Sequence, residues 1–149
     1  FWSQDGALVL SGDQLLGSIS PNIGVSATEP FADTVGGWMA SCTKFQNFAT
    51  EDQLVLTGHK LPYYGLPARL ASLIKNHHGA LARLLDFLSE PKSACDCFVT
   101  LFKRDIKGSE YSLAMAEAMA HCVHLYHNGQ VTRVTRDDGT YIWQRKDLT

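Results

Sequence analysis

Apolar residues along the chain fall into two kinds of run. Short uninterrupted ones stand at residues 7–10 and 54–56 and are closed by small residues. They predict strands at 7–12 and 53–57 that are covered on both faces. Longer stretches carry apolar residues three and four apart. Phe31, Val35, Trp38, Met39, Cys42 and Phe45 predict a helix over 30–48, with Thr28 or a residue beside it as N-cap and Pro30 in the first turn. Leu70, Leu73, Ile74, His77, Leu81, Leu84, Leu85 and Leu88 mark one side of a helix over 67–89, which Gly79 either divides or leaves whole. Ser93 is placed to cap a short helix ending at Phe102. Residues 110–128, rich in Ala, Met and Leu, predict a further helix that stops at Asn128-Gly129. Phe1-Trp2 reads as the tail of another strand, turned back by Asp5-Gly6. Residues 130–136 and 140–145 alternate apolar and polar around Asp137-Asp138-Gly139, the pattern of a hairpin.

Composition narrows the classes. An apolar content of 45% and a charged content of 19% are those of a globular chain of 149 residues, long enough for one domain or two small ones. Lys+Arg 13 against Asp+Glu 15 leaves a net charge of −2, which gives no general attraction to nucleic acid or to an anionic membrane. No apolar run approaches the ~20 residues needed to span a bilayer. Cys42, Cys95, Cys97 and Cys122 have no disulfide-framework spacing, and Cys95-Asp96-Cys97 is C-x-C rather than the C-x-x-C of zinc or redox sites. Cys42 and Cys122 fall in apolar-periodic segments and read as core. A reducing cytoplasm is the expected location.

Candidate chemistry begins at the first strand. Ser11 and Gly12 leave the backbone open, and Asp13 follows at the strand's carboxyl end, where open α/β sheets place their sites. The second strand repeats the design: L-V-L-T-G, then His59. Alone, such an Asp is a turn or cap residue and such a His a loop residue. Two strands that each deliver a metal-type ligand past a glycine are a stronger signal. Tyr63 and Tyr64 follow His59, either as hydrogen-bond donors to a developing oxyanion or as half-buried packing residues. His77 and His78 are adjacent on a helix and project ~100° apart, so they read as structural, hydrogen-bonding residues. His121, His124 and His127 are three apart and share a helix face, but no acidic third ligand stands near them in the sequence.

The order of these pieces carries a resemblance. L-V-L-S-G-D-Q-L-L, then I-S-P-N-I-G-V, then a helix, then L-V-L-T-G-H-K-L-P resembles the second half of a metallo-β-lactamase-fold hydrolase. The later succession of helix, helix, helix and hairpin looks like the winged-helix domain that follows the catalytic domain in many such hydrolases. The resemblance implies a fold of α/β class, an αββα half-sandwich over residues 1–78, with a small α+β winged-helix domain over 79–149. It implies Asp13 as the ligand bridging two metal ions, Zn²⁺ in the first instance, and His59 as the last ligand. It implies a metal-dependent hydrolase that attacks an ester, thioester, lactone or phosphodiester, with Tyr63 and Tyr64 near the substrate.

The family's His-x-His-x-Asp-His signature lies upstream of these motifs and has no counterpart here. The chain is therefore expected to be a C-terminal half, completed by an N-terminal half in the same protein or in a second chain. Besides that half, the expected partners are a small ester-like substrate and a second copy of the chain in a homodimer; no membrane is expected. Sequence-specific DNA is not expected either. The third helix of the winged-helix pattern has no Lys or Arg along its first turns and carries Glu117, although Arg133, Arg136, Arg145 and Lys146 stand on the hairpin. The competing class is a non-catalytic interaction or nucleic-acid-contacting winged-helix protein with a degenerate metal site.

Overall fold

The two apolar runs become strands β1 (Leu8–Gly12) and β2 (Leu54–Thr57), which pair in parallel. The structure, a computed structural model, describes residues 1–147. The Asp5-Gly6 turn forms as its sequence predicts: Trp2 bridges Val9 antiparallel, and Gly6 takes a φ of 72°, a conformation that suits glycine. The expected cover on both faces is not found. Val9 and Val55 are fully buried, but Leu8 and Leu10 on the other face are 41% and 53% exposed. A two-stranded ladder leaves open whatever face its own helices do not reach.

Helix α1 (Thr34–Phe45) starts later than the 30–48 expected from periodicity. Asp33, not Thr28, supplies the N-terminal cap: its Oδ1 accepts the Gly36 N–H at 2.9 Å. Gly36 has a function here, since a Cβ at that position would run into the Asp33 carboxylate. Phe31 therefore stands before the helix and is partly exposed, while Val35, Trp38, Met39 and Cys42 are buried as predicted. Helix α2 (Leu66–Phe87) is one unbroken element through Gly79.

The short helix expected after Ser93 is divided differently. Lys92–Ser93 forms a strand, β3; a single 3-10 turn follows at Cys95–Cys97, and helix α3 covers Phe98–Phe102. Ser93 does not cap it. Instead the Asp96 carboxylate accepts from both the Ser93 N–H and the Ser93 hydroxyl, at 2.8 and 2.7 Å. After a 3-10 turn at Gly108–Glu110, helix α4 (Tyr111–His127) ends at Gly129 with a φ of 70°. Strands β4 (Val131–Thr135) and β5 (Tyr141–Arg145) make the predicted hairpin, and β3 adds to it in the order β3-β5-β4.

The chain divides into two compact units that are not collinear with the sequence. The first holds Phe1–Pro21 and Trp38–His77, with β1, β2, most of α1 and the first half of α2. Its interior is built from Val9, Leu15, Leu16, Cys42, Val55, Leu66, Leu70 and Leu73. The second holds Asn22–Gly37 and the residues from His78 on, with the rest of α2, α3, α4 and the three-stranded sheet around Leu84, Leu88, Ala118, Val123 and Trp143. The 79–149 segment of the sequence reading falls in this second unit, apart from its last two residues, which lie outside those described.

Candidate metal centre at the carboxyl ends of two parallel strands

A one-residue bulge sets the site. The register runs Leu8↔Leu54, Val9↔Val55, Leu10↔Leu56 and then Gly12↔Thr57, so Ser11 is the extra residue on β1. Its hydroxyl is turned to backbone, donating to Leu15 O at 2.9 Å. The bulge sets Asp13 one step back, level with Gly58, whose N–H bonds Gly12 O at 2.9 Å. There the Asp13 carboxylate occupies the space that a Cβ on residue 58 would fill. From this cradle Asp13 Oδ1 meets His59 Nδ1 at 2.7 Å. With Asp13 as carboxylate, the ring donates from Nδ1, and Nε2 and the second carboxylate oxygen have no partner among the described residues. Both side chains are open to solvent, at 57% and 68% exposed.

The surroundings are held from behind. The Arg69 guanidinium of α2 donates to Leu16 O and Ile19 O, both at 2.7 Å, and so pins the loop that follows Asp13. Burial holds the Arg69 pKa below its usual value. Trp38 Nε1 donates to Gln14 O at 3.2 Å. On β2's side, the Thr57 hydroxyl donates to His59 O at 2.6 Å.

The two predicted tyrosines part company. The Tyr63 ring packs where a side chain on Gly17 would stand, and its buried hydroxyl has no hydrogen-bond partner among the described residues. Burial pushes its pKa up to about 12. Tyr64 is exposed.

A carboxylate and an imidazole side by side are the right donors for a divalent ion, and the glycine cradle gives the carboxylate one place to be. They fit as part of a donor set. Three or more His, Cys, Asp or Glu side chains placed to hold a metal are not found together among the described residues. His78 is exposed, and the four remaining histidines are engaged elsewhere. His77 is buried, with Nδ1 at 3.0 Å from Leu73 O and its ring against Trp38. His121 Nδ1 meets Glu117 O at 2.8 Å. His124 and His127 hold the segment before α1 onto α4: His124 Nδ1 lies 2.8 Å from Asp33 Oδ1, and His127 Nε2 lies 2.9 Å from Phe31 O. The acidic neighbour of His124 is thus 91 residues away, where sequence spacing could not show it.

Comparisons with known proteins bear on the fold that carries this pair. Residues 81–146 match the family model described as metallo-beta-lactamase-like, C-terminal domain. A beta-lactamase domain protein from Burkholderia ambifaria is similar over 97% of this chain and 42% of its own, with 28% identity and a TM-score of 0.91. A metallo-beta-lactamase family protein from Thermus thermophilus is similar over 98% of this chain and 44% of its own, with 27% identity and a TM-score of 0.81. The chain spans less than half the length of these two structures. No curated protein matches it. The likeness points to a hydrolase fold of a family that generally binds metal ions.

Proposed function

We propose that this chain supplies part of the metal site of a metal-dependent hydrolase, with Asp13 and His59 as two of the ligands. The observation that carries this reading is the 2.7 Å approach of the two side chains at the carboxyl ends of adjacent parallel strands. Zn²⁺ is the ion proposed first, as one or two ions. When bound it would polarise a carbonyl or phosphoryl oxygen and bring the pKa of a water towards neutrality. Asp13, fixed over Gly58, would hold the ion by its carboxylate; His59 would present neutral Nε2 with its Nδ1–H kept on Asp13. An ester, thioester, lactone or phosphodiester is the substrate class, met in the cytoplasm. No helix among the described residues is long and apolar enough to cross a membrane.

Completion of the donor set by further polypeptide, the other half of the metallo-β-lactamase fold, belongs to the same reading. Leu8 and Leu10 support it as exposed apolar residues on a bare sheet face. So does a 460 Å³ cavity beside β1, lined in part by Trp2 and Gln14. Trp2 Nε1 is a buried donor without an acceptor among the described residues, an arrangement that suits a segment offering a carbonyl oxygen.

For residues 79–149 we propose the winged-helix description. The pairing of a short strand before α3 with a terminal hairpin supports it. DNA reading through α4 has little support: Asn22 donates to Leu113 O and to Glu117, the Val25 N–H to Ala116 O, and Asp33 and Phe31 engage His124 and His127, so the connecting segment already covers that helix.

Metal content of the whole protein, measured by mass spectrometry after exhaustive dialysis, tests the proposal. Asp13→Asn and His59→Ala should each lower occupancy and hydrolysis together. Full occupancy in both variants would end the reading.

A further inference from the structure

The glycine that makes room for Asp13 leaves the next residue loosely defined. Gly58 must lack a side chain, because the Asp13 carboxylate stands where its Cβ would be. A glycine backbone is also the least restricted of any, and this one immediately precedes His59, whose exposed ring has Asp13 as its partner.

The chain counters that freedom on both sides of the glycine. Ahead of it, the Gly58 N–H donates to Gly12 O at 2.9 Å and ties the peptide to β1. Beyond it, the Thr57 hydroxyl donates to His59 O at 2.6 Å, a short bond that spans the glycine from one neighbour to the other. Thr57 is the last residue of β2 and pairs with Gly12, and its β-branch restricts χ1, so the strand aims the hydroxyl. The peptide it holds joins His59 to Lys60. Lys60 has a φ of 69°, a left-handed conformation that a lysine keeps only where its surroundings fix it. The base of the loop is closed as well: Val55 and Tyr63 exchange backbone N–H···O bonds of 2.9 and 3.1 Å. All of these residues lie in the first unit.

We propose that Thr57 is a positioning residue for His59: by holding the His59 carbonyl, its hydroxyl sets the backbone from which the imidazole reaches Asp13 and a metal ion. The proposal rests on the reading of Asp13 and His59 as ligands. Thr57 bonds main chain, so it acts through His59 and not on an ion directly. The ordinary role of such a bond is to stabilise a turn. That role alone would be silent at the imidazole, and this difference makes the two separable.

Thr57→Val keeps the β-branch and the volume and removes the hydroxyl; Thr57→Ser keeps the hydroxyl. Two measurements on the whole protein compare them. Long-range ¹H–¹⁵N NMR of the His59 ring in the metal-free protein reads the tautomer. The parent should show the Nδ1–H form, since the Asp13 carboxylate accepts that proton; Thr57→Val should show a mixture, and Thr57→Ser the parent's pattern. Zinc titration against a chromophoric chelator should then give about tenfold weaker binding in Thr57→Val, the lower end of what groups that orient a ligand are worth, and parent-like binding in Thr57→Ser. Thermal unfolding of Thr57→Val should stay close to the parent's, and Thr57→Ala repeats the comparison where the valine is not accommodated. A parent that binds no zinc would end the hydrolase reading, while the tautomer measurement would still judge Thr57. An unchanged tautomer pattern in Thr57→Val overturns the proposal, as does a loss of zinc affinity shared equally by Thr57→Ser.

Discussion

Glycine 58 is the residue on which the candidate site turns. The bulge at Ser11 sets Asp13 opposite it, and the carboxylate uses the volume a methyl group would need. Gly58→Ala must therefore displace Asp13 or open the ladder. We expect the Asp13–His59 bond to be lost and metal occupancy of the whole protein to fall about as far as in Asp13→Asn, with β1 and β2 still paired; His59 ring resonances and metal analysis read the two effects. Arg69 acts at one remove. Arg69→Met leaves Leu16 O and Ile19 O without their donor, and a partly buried carbonyl pair that loses a charged partner costs about 2 kcal/mol. Thermal unfolding measures it. The glycine was legible as a small residue before a ligand, but the cradle was not, because nothing in the local sequence states that the other strand carries a bulge.

At the scale of elements, the start of α1 shows how a cap overrides periodicity. Phe31 has the right spacing for the helix face, yet the chain enters the helix only after Asp33. Burial of the Asp33 carboxylate opposes ionisation. The Gly36 N–H and His124 outweigh that, and its pKa lies below the ordinary value of 3.8. Because the folded value is the lower one, the stabilisation is present above the unfolded pKa and fades as pH falls through the folded one. Asp33→Ala should cost about 1 kcal/mol near neutral pH, the ordinary loss of a cap, and nothing in strong acid. Denaturant titrations at the two pH values give the comparison. Helix α4 carries the opposite sign. Burial raises the Glu117 pKa to about 7 from 4.5, against the Asn22 amide, which favours the charged form. The folded state then holds the proton more tightly than the unfolded one, so its contribution weakens as pH rises from about 4.5 to about 7 and stays low above that. Glu117→Gln should remove this slope and stabilise the protein at pH 8 by on the order of 2 kcal/mol.

Across the whole molecule, the two units differ in how complete they are. The second buries a Trp, several leucines and valines, and closes its sheet with a third strand. The first leaves a two-stranded parallel sheet with exposed Leu8 and Leu10, although parallel sheets are ordinarily covered on both faces. If further polypeptide covers that face, Leu10→Lys should weaken its association at least tenfold, since an apolar interface core tolerates no unpaired charge. The same change in the 149-residue chain alone should shift the melting temperature little, because Leu10 is already half in water. Co-purification with such a polypeptide, and calorimetry of the chain by itself, separate the two.

What the sequence by itself determined is the succession of elements and the two places where a ligand-type side chain follows a strand. Apolar runs of three or four residues and helical spacing of three and four are local properties, and a strand's carboxyl end is a local place. Register, cover and company were decided only in three dimensions. The slip at Ser11, the His124–Asp33 pair and the Phe31 ring against Arg133 each join residues that are distant in the chain, and which side chains meet depends on how whole elements pack rather than on any one element's own pattern.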